Sequence, residues 1–595
     1  MQAKPWLNLV EMFFTQAERL GSKPFIWQKH GKEYQPISWQ DAARDVARLA
    51  WSLRDIGVEK GDRVVVVSES RTEWPICDLA IMACGAISVP TYITNTTRDH
   101  THILENSGAK AAIVSTRQLA RAFLPAAHES DMLKTVICMD SPNISQSLNV
   151  DIHLWDNVML ASKGRLDDFI AEAATITRDE VACLIYTSGT GGAPKGVMLH
   201  HGSILHNCEG AEDVLRRINA RDDEVFLSFL PLSHAYEHTS GLYLPISIGA
   251  QIYYAEGLDK LAANMEEVRP TIMMVVPRLF EVLQARVIKR VQEQGGLRVK
   301  LFEKALALGT QEYEHPGSHS TFQKVQNVML EKLVRSKIRQ AFGGHIKAMV
   351  AGGAPLNPDC GIFFTSLGMR LLQGYGQTES GPVISINDPD HVKLHTVGPP
   401  IAGTELQITE EGEIIVRGDL VMKGYWRDDV ATANAIRDGW LHTGDVGVID
   451  EDGQLQITDR IKDIIVNNKG ENVSPARIEG MLTLEPEIAQ AMIYGDGKPH
   501  IVGLLVPDQI WIEEWCQRNG KPINLDELSD DPELRKALDE VVSRINKRVS
   551  NLERVRKFAI TPRPFTIENE QLTPKMTIRR HVISSEYGET FESLY

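Results

Sequence analysis

The stretch Leu184-Ile-Tyr-Thr-Ser-Gly-Thr-Gly-Gly-Ala-Pro-Lys-Gly-Val197 joins an apolar run to a loop of hydroxyl-bearing residues and glycines. The uncharged run 181–186 predicts a buried strand that leads into the loop. Glycines let backbone amides approach a polyphosphate closely, the hydroxyls add donors, and Lys195 adds a positive charge. The number of hydroxyls and the Pro-Lys-Gly ending argue against an ordinary glycine-rich turn. The stretch therefore predicts a phosphate-binding loop at the end of a strand.

Two common phosphate-binding motifs do not fit this loop. A Walker loop counted from Gly189 would need glycine where Pro194 stands, and it would need Ser or Thr where Gly196 follows Lys195. The same Pro194 interrupts the dinucleotide pattern G-x-G-x-x-G. The loop therefore indicates neither a P-loop NTPase nor a Rossmann dehydrogenase.

The bulk composition limits the class of protein. A chain of 595 residues predicts at least two domains, and a formal net charge of −16 argues against general nucleic-acid binding. The seven cysteines are scattered without a C-x-x-C pair, which predicts neither disulfides nor a zinc site and favours a reducing cytoplasm. The N-terminus lacks a signal-peptide pattern, and the longest apolar run, 79–89, is too short to span a bilayer.

Helical and strand patterns alternate through the first two thirds of the chain, as in α/β proteins. The first unit shows a helix from Ser38 to Leu53, with Ser38 and Asp41 placed as a capping pair, and a second helix from 74 to 85. The second unit ends its strands in polar turns. Strands are predicted at 63–67, 111–114, 135–138, 224–230, 271–276, 345–351 and 371–373. We expect two sheets whose polar strand ends face one cleft.

The pattern of predicted secondary structure changes in the last third of the chain. From residue 398 short strands and turns predict a β-rich module, and beyond it a strong helix begins after Asp531 and Pro532. The predicted fold class is therefore α/β, with a large N-terminal domain of two α/β sheet subdomains plus a β-barrel-like module, and a small α+β C-terminal domain. The boundary is predicted in the polar stretch 459–463, which gives domains of residues 1–458 and 459–595.

The helical region 278–340 departs in charge from the acidic whole. It contains twelve basic and six acidic residues, a net charge of +6 in a chain of −16. A solvated helical face explains such a count without any partner. The alternative interpretation is a patch that contacts anionic lipid headgroups, which would make the protein peripheral at the inner face of a membrane.

Four motifs in order identify a family resemblance: 186–196 (Tyr-Thr-Ser-Gly-Thr-Gly-Gly-Ala-Pro-Lys-Gly), 374–379 (Gly-Tyr-Gly-Gln-Thr-Glu), 439–445 (Gly-Trp-Leu-His-Thr-Gly-Asp) and 459–463 (Asp-Arg-Ile-Lys-Asp). Together they resemble the adenylate-forming superfamily of acyl-CoA synthetases, in particular its long-chain fatty acid CoA ligases. The resemblance covers nearly the whole chain. It implies ATP, Mg²⁺ and coenzyme A as ligands, and a C-terminal domain that moves between two steps.

The resemblance also implies roles for individual residues. The phosphates would be held by the loop residues Thr187, Ser188, Gly189, Thr190 and Lys195, and Mg²⁺ would be held by Thr187 and Glu379. The nucleotide would be bound by residues of three further segments: Gly353, Ala354 and Pro355; Gly374, Tyr375, Gly376 and Thr378; Asp445 and Arg460. In this interpretation Tyr375 stacks on adenine, Thr378 reaches the α-phosphate, and Asp445 accepts the ribose hydroxyls.

The remaining implied roles concern the transfer to coenzyme A and the binding of the fatty acid. Lys462 would be the hinge of the C-terminal domain, and Gly470 would line the coenzyme A tunnel. His234 matches a histidine of the cleft, although a structural histidine is the competing interpretation. Any one of these residues alone has an ordinary structural explanation, and their joint presence is what favours the site.

The chain departs from the family pattern at two places. Gly191 stands where the family usually has Thr or Ser. The C-terminal motif has Thr577 where the family lysine bridges the carboxylate and the α-phosphate, and Lys575 lies two residues earlier. On a strand that shift moves the ammonium group by roughly 7 Å on the same face. Lys575 is therefore the candidate for the bridging, catalytic lysine, beside Glu379, Thr187 and His234.

The predicted function is ATP-dependent activation of a long-chain fatty acid to its coenzyme A thioester through an acyl-adenylate. The implied partners are small-molecule substrates, without nucleic acid. Two alternatives stay open. One is an acyl-AMP ligase that hands its adenylate to a carrier protein, which Gly470 disfavours. The other is a nucleotide-binding paralogue without catalysis, which the Thr577 departure suggests.

Overall fold

A computed structural model of the chain describes residues 6–143, 147–187, 193–460, 463–468, 471–566, 568–572 and 578–595. The predicted α/β class, with further β and α+β parts, is confirmed. No helix within these ranges is both long enough and apolar enough to cross a bilayer.

The first unit is a seven-stranded sheet with order β7-β6-β5-β3-β4-β8-β9, parallel except for the final β8–β9 pair. Its elements, with the hairpin β1–β2 that joins the second sheet, are α1 (Leu9–Leu20), β1 (Pro24–His30), β2 (Glu33–Ser38), α2 (Trp39–Asp55), β3 (Arg63–Val67), α3 (Glu73–Ala83), β4 (Ile87–Thr91), α4 (Thr97–Ser107), β5 (Ala111–Val114), α5 (Arg117–Glu129), β6 (Thr135–Cys138), β7 (Asp151–Leu154), α6 (Trp155–Ala161), α7 (Leu166–Ala173), β8 (Val181–Thr187) and β9 (Lys195–His200).

The second unit is an eight-stranded sheet with order β15-β14-β13-β12-β10-β11-β1-β2. Its further elements are α8 (His201–Arg217), β10 (Val225–Ser228), a π-helical segment (Glu237–Tyr243), α9 (Leu244–Ile248), β11 (Gln251–Tyr254), α10 (Leu261–Val268), β12 (Ile272–Val275), α11 (Pro277–Gln294), α12 (Gly296–Glu314), α13 (Thr321–Leu330), a second π-helical segment (Glu331–Arg335), α14 (Ser336–Ala341), β13 (Ala348–Ala351), α15 (Pro358–Ser366), β14 (Leu371–Gly376), a 3₁₀ turn (Thr378–Ser380) and β15 (Val383–Ile386).

The β-rich module is a five-stranded antiparallel sheet. It contains β16 (Glu405–Ile408), β17 (Glu413–Arg417), α16 (Asp429–Ala435), β18 (Ile436–Arg437), β19 (Trp440–Ile449) and β20 (Leu455–Arg460). Strand β20 passes through the position of the predicted boundary between residues 458 and 459, and that boundary stays a prediction.

The C-terminal part has a two-stranded and a three-stranded sheet. Its elements are β21 (Ile465–Val466), β22 (Asn472–Val473), α17 (Pro475–Leu482), β23 (Ile488–Tyr494), β24 (Ile501–Pro507), α18 (Gln509–Asn519), α19 (Leu525–Leu528), α20 (Pro532–Asn546), β25 (Val555–Ile560), α21 (Arg580–Glu586) and α22 (Gly588–Ser593). The carboxylate of Asp531 caps α20, as predicted, by accepting from the amides of Glu533 and Leu534 at 2.9 and 3.0 Å.

Strand β3 is apolar at successive positions because both of its faces are buried. Val64 and Val66 pack into one core, Val65 and Val67 pack into the core on the opposite face, and all four are fully buried. A parallel strand covered on both faces needs such a run. The helix that follows β2 begins as predicted, because the Ser38 hydroxyl accepts from the amide of Asp41 at 3.2 Å.

A buried polar cluster joins helix α3 of the first unit to the first π-helical segment of the second unit. Asp78 on α3 accepts at one oxygen from the Tyr243 hydroxyl at 2.5 Å and lies 2.9 Å from Nε2 of His238. All three side chains are fully buried, and the partners belong to the π-helical segment of the second unit. Nearby His238 lowers the pKa of Asp78 against the opposing effect of its burial. The cluster therefore fixes the segment that follows His234 against helix α3.

Candidate active site

The carboxylate of Glu379 lies beside an aromatic residue from a distant segment. The Tyr425 hydroxyl donates to Oε1 of Glu379 at 2.9 Å. The ammonium group of Lys195 lies 5.1 Å from the centre of the Tyr425 ring and 3.4 Å from Oδ2 of Asp428. Burial, together with the Glu379 carboxylate, raises the pKa of the Tyr425 hydroxyl, which therefore stays protonated and donates. The structure thus places two predicted site residues, Lys195 and Glu379, in contact with the same tyrosine.

Backbone pairing places Tyr425 there. The amide of Met422 donates to the carbonyl of Glu379 at 2.9 Å, which fixes the segment against the 3₁₀ turn. The amide of Trp426 donates to the carbonyl of Gly196 at 2.7 Å, and Val197 and Tyr425 form an antiparallel bridge. The segment 422–426 therefore acts as an added partner of β9, at the base of the predicted phosphate loop.

Two aromatic side chains pack closely against Gly196 and leave little room for a side chain there. A Cβ atom at this position would lie 3.2 Å from Cζ of Tyr186 and 3.4 Å from Cβ of Trp426. The Tyr186 hydroxyl and the Trp426 indole both donate to Asn106, at 2.7 and 3.1 Å, to its side-chain and backbone oxygens respectively. The Lys-Gly ending of the loop therefore belongs to a packed hairpin that holds the strand ends in place.

A second group of predicted residues surrounds Asp445. The Tyr375 hydroxyl donates to Oδ2 of Asp445 at 2.7 Å, and Nε of Arg460 donates to Oδ1 at 2.9 Å. Asp445 and Arg460 face each other in the β19–β20 pair. Burial and the Asp445 carboxylate raise the pKa of the Tyr375 hydroxyl well above its ordinary value. The structure therefore unites three residues that lie in three separate sequence motifs.

Asp445 is held in place by its own strand. It is 3% exposed, and its amide donates to the Thr443 hydroxyl at 3.1 Å. That hydroxyl in turn donates to the carbonyl of Ile414 at 2.7 Å, across the β17–β19 pair. A carboxylate has about four lone-pair positions. Two are used by Tyr375 and Arg460, so the group keeps acceptor capacity.

The Gly352–Pro355 segment follows β13 and rests on Tyr236. A Cβ atom on Gly352 would lie 2.9 Å from Cζ of the Tyr236 ring, and the Tyr236 hydroxyl donates to the carbonyl of Val350 at 2.8 Å. Gly353 has a φ of +84°, a left-handed conformation that favours glycine. Gly353, Ala354 and Pro355 are all exposed beyond this support.

His234 lies three residues before the π-helical segment Glu237–Tyr243. Its Nδ1 accepts from the amide of Tyr236 at 3.1 Å, and its carbonyl accepts from the amide of His238 at 2.9 Å. The side chain is half-buried. His234 is thus one turn from the buried Asp78–His238 pair and is hydrogen-bonded to the residue that supports Gly352.

The Gly374-Tyr375-Gly376 motif belongs to a strand, whereas the predicted strand ended at residue 373. These three residues are the last part of β14, and they pair with β15. A Cβ atom on Gly376 would lie 1.8 Å from the carbonyl oxygen of Pro382, so the close backbone contact excludes a side chain. Thr378 and Glu379 follow in the 3₁₀ turn, with Thr378 buried. The paired strand gives Tyr375 a fixed direction towards Asp445.

Several predicted residues lie outside the described ranges. They are Ser188, Gly189, Thr190, Gly191, Lys462, Gly470, Lys575 and Thr577. Their neighbours are described: Thr187 pairs with Lys195 at the ends of β8 and β9, and Leu572 forms an antiparallel bridge with Ile578.

Nearly the whole chain is similar in sequence to known enzymes. Residues 13–426 match the AMP-binding enzyme family, and residues 462–595 match the AMP-binding enzyme C-terminal domain. This chain belongs to the AMP-binding enzyme family. A long-chain-fatty-acid–CoA ligase of Mycobacterium tuberculosis is 34% identical over 94% of this chain and 92% of the relative. A peroxisomal long chain acyl-CoA synthetase of Arabidopsis thaliana is 29% identical over 95% of this chain and 82% of the relative. The predicted resemblance to long-chain fatty acid CoA ligases is confirmed.

Solved structures of AMP-binding enzymes have the same fold. The adenylation domain of a carboxylic acid reductase from Segniliparus rugosus, in complex with AMP and a carboxylic acid, has a TM-score of 0.74 at 20% identity, covering 100% of this chain and 95% of that one. An O-succinylbenzoate coenzyme A synthetase from Bacillus subtilis, in complex with AMP, has a TM-score of 0.66 at 19% identity, covering 97% and 98%. At these identities the likeness concerns the fold.

Several residues of this AMP-binding enzyme's site were not predicted from the sequence. Tyr425 and Asp428 contact Glu379 and Lys195, and Tyr236 supports Gly352. The signal for Tyr425 was weak, since Gly424-Tyr-Trp426 is only an aromatic pair after a glycine. No pattern in the sequence joins it to a glutamate 46 positions earlier.

The residues fit a hard cation held jointly with phosphates. Glu379 offers a carboxylate and Thr187 a hydroxyl, and Mg²⁺ prefers oxygen ligands and keeps few protein contacts. Within the described ranges no group of three or more His, Cys, Asp or Glu side chains could hold a metal alone. A cation here would therefore take its other ligands from a polyphosphate and water.

Proposed function

We propose that this AMP-binding enzyme activates a long-chain fatty acid with ATP and transfers it to coenzyme A. The curated relatives supply the class of acid and thiol. The observation in this chain that carries the proposal is the buried Asp445 carboxylate, held by Tyr375 and Arg460 and retaining acceptor capacity. Such a group suits the two hydroxyls of a ribose.

The first step forms a mixed anhydride. A carboxylate oxygen of the acid attacks the α-phosphorus of ATP, the new C–O–P linkage forms, and the bond from the α-phosphorus to the bridging oxygen breaks to release pyrophosphate. Two anions must approach each other, so the protein contributes mainly positive charge and positioning. We assign the leaving phosphates to Thr187, Lys195 and the loop residues Ser188, Gly189 and Thr190.

The nucleotide would lie between the two described groups of residues. Tyr375 would stack on adenine beside the Gly353-Ala354-Pro355 backbone, Asp445 and Arg460 would hold the ribose, and Thr378 would reach the α-phosphate. When bound, Mg²⁺ would neutralise phosphate charge, held by Glu379 and Thr187. Tyr425 would keep the Glu379 carboxylate oriented.

The second step uses the same cleft. The deprotonated thiol of coenzyme A attacks the acyl carbon, the thioester forms, and the C–O bond to AMP breaks. We assign Lys462 as the hinge of the domain movement and Gly470 to the thiol tunnel. Lys575 remains the proposed lysine at the carboxylate and α-phosphate during the first step, and His234 is proposed at the acid end of the cleft.

Two assays test this proposal. Acid-dependent exchange of pyrophosphate into ATP reports the first step, and thioester formation across fatty acids of increasing length reports both. We expect exchange and thioester with long-chain acids. Exchange without thioester would favour a carrier-dependent acyl-AMP ligase, and no exchange with any acid would overturn catalysis. Unchanged exchange in Lys575→Ala would remove Lys575 from the mechanism.

We further propose that the enzyme works in the cytoplasm with peripheral membrane contact. All seven cysteines are buried as free thiols, as small apolar side chains would be, which suits a reducing compartment. The basic region 278–340 would face anionic lipid.

A further inference from the structure

An exposed apolar surface lies within the basic region, on α13 and the π-helical segment after it. It consists of five large side chains that are each between 47% and 71% exposed: Phe322, Val325, Val328, Met329 and Leu333. We call this surface the 322–333 face. Residues 322, 325, 329 and 333 recur at helical spacing and so form one stripe. Contiguous exposed apolar surface of this kind marks an interaction site more often than single exposed residues do.

The opposite side of the same segment is firmly packed. Leu330 and Val334 are buried in the second core. Gln323 donates to Gln311 on α12 at 2.9 Å, and the guanidinium group of Arg335 donates to Asn327 at 2.6 Å and to the carbonyl of Ala305 at 2.8 Å. The helix thus turns polar groups inward to specific partners and five apolar side chains outward. Its orientation is fixed by contacts that leave the 322–333 face uncovered.

Positive charge surrounds this face. Residues 321–340 include five basic side chains and one acidic one, which leaves a net charge of 5 − 1 = +4. Arg335 is buried, and Arg339 is paired with Glu331. The other three, Lys324, Lys332 and Lys337, are exposed and make no ion pair with any described residue. Apolar and cationic groups therefore point to solvent from one helical segment.

We propose that the 322–333 face binds an anionic lipid bilayer. The five apolar side chains would enter the boundary between headgroups and acyl chains, with the helix in the plane of the membrane, and the three lysines would contact lipid phosphates. Charge complementarity favours this occupant. The exposed charges of residues 321–340 that make no ion pair with a described residue are all lysines, and lysine is depleted in protein interfaces of the usual kind.

The position of the face in the fold agrees with this assignment. Helix α12, which holds α13 through Gln311, also packs on α15, and the Thr310 and Ser366 hydroxyls lie 3.2 Å apart there. Helix α15 begins at Pro358, three positions after the end of the Gly352–Pro355 segment of the candidate site. A long-chain acid partitions into bilayers, so membrane contact would supply it at high local concentration. This last argument rests on the proposed function, but the contact itself does not.

Vesicle co-sedimentation tests the proposal without any turnover. The full chain is mixed with vesicles of phosphatidylcholine alone, or of phosphatidylcholine and phosphatidylglycerol together. We expect binding to the anionic vesicles that weakens with salt. The pair Lys332→Gln and Lys337→Gln should reduce binding about tenfold or more, since one lysine near such a surface is worth about fivefold. Separately, the pair Phe322→Ser and Met329→Ser should reduce binding about tenfold or more, since it removes apolar surface that would enter the membrane.

The chain offers a matched control on the first unit. Leu160 is 84% exposed, and Lys163 is exposed three positions later. The pair Leu160→Ser and Lys163→Gln removes one apolar and one basic side chain away from the face and should leave lipid binding unchanged. All altered residues are exposed, so urea unfolding should confirm that every variant is folded.

Three outcomes would overturn the proposal. They are no binding of the wild type to anionic vesicles, binding that the face variants retain, and equal loss in the control. Concentration-dependent self-association that Phe322→Ser and Met329→Ser abolish, without lipid binding, would identify the face as a protein interface instead. Thioester formation with detergent-dispersed acid should be unchanged in the face variants. Its absence in the wild type would contradict the proposed function and not the membrane contact.

Discussion

The hydroxyl of Tyr425 donates a 2.9 Å hydrogen bond to the carboxylate of Glu379, although the two residues lie 46 positions apart. Tyr425 also lies beneath the ammonium group of Lys195. One tyrosine therefore connects the proposed cation ligand to the proposed phosphate loop, and its hydroxyl holds the orientation of the Glu379 carboxylate.

Replacing Tyr425 with Phe removes this hydrogen bond and keeps the ring under Lys195. Hydrogen bonds to charged groups contribute about 1.5–3 kcal/mol, so we expect kcat/KM for pyrophosphate exchange at limiting Mg²⁺ to fall about 10- to 100-fold. The loss should shrink as Mg²⁺ is raised. Tyr595→Phe is the control, because that hydroxyl bonds to the carbonyl of Tyr494 in the C-terminal part. An Mg²⁺ dependence equal to that of the wild type would refute the orienting role.

Replacing Asp445 with Asn should weaken nucleotide binding. The amide keeps one acceptor oxygen but places an NH₂ group towards either Tyr375 or Arg460. We expect the KM for ATP to rise about 10- to 100-fold, with a smaller change in the KM for the acid. Asp452→Asn, at an exposed carboxylate paired with Lys393, is the matched control. Equal effects on both KM values would argue against a ribose-binding role.

The two glycines of the Gly374-Tyr-Gly376 motif should differ sharply in their tolerance of alanine. A Cβ atom on Gly376 would overlap the carbonyl of Pro382 at 1.8 Å, whereas one on Gly374 would meet only the carbonyl of Ser385 at 3.6 Å. We expect Gly376→Ala to lower the free energy of unfolding by about 3 kcal/mol or more and Gly374→Ala to leave it nearly unchanged. Urea unfolding measures both, and similar stabilities would contradict the close approach of β14 to Pro382.

Stability should depend on pH through Glu237. Burial raises the pKa of this carboxyl to about 8 from an ordinary value of 4.5, although it hydrogen-bonds with the Ser228 hydroxyl. Between those values the folded protein binds more protons than the unfolded chain, so its stability falls as pH rises, by at most about 1.4 kcal/mol per unit.

Glu237→Gln tests this dependence. The amide cannot ionise, so in urea unfolding the variant should lose less stability than the wild type between pH 5 and pH 8, the window between the ordinary and the raised pKa. Glu410→Gln, at an exposed position, should behave as the wild type does. Parallel profiles for Glu237→Gln and the wild type would show that another group causes the dependence.

Local patterns in the sequence predicted much of the fold. The strands at 111–114 and 135–138 coincide with β5 and β6, because a strand buried on both faces must be apolar throughout. The caps at Ser38 and Asp531 were readable because a side chain and the amides it accepts from lie within three residues. The four motifs identified the family because their residues are adjacent along the chain.

Contacts between distant segments were decided only by the tertiary structure. Tyr425 meets Glu379 because the segment 422–426 pairs with β9, and Tyr375 meets Asp445, 70 positions away, because β14 ends facing β19. The 322–333 face is likewise a product of packing, since Gln323, Asn327 and Leu330 turn inward and leave Phe322 and Met329 outside. Sequence determines which groups are available, and only the folded backbone, by long-range strand pairing and helix packing, determines which of them meet.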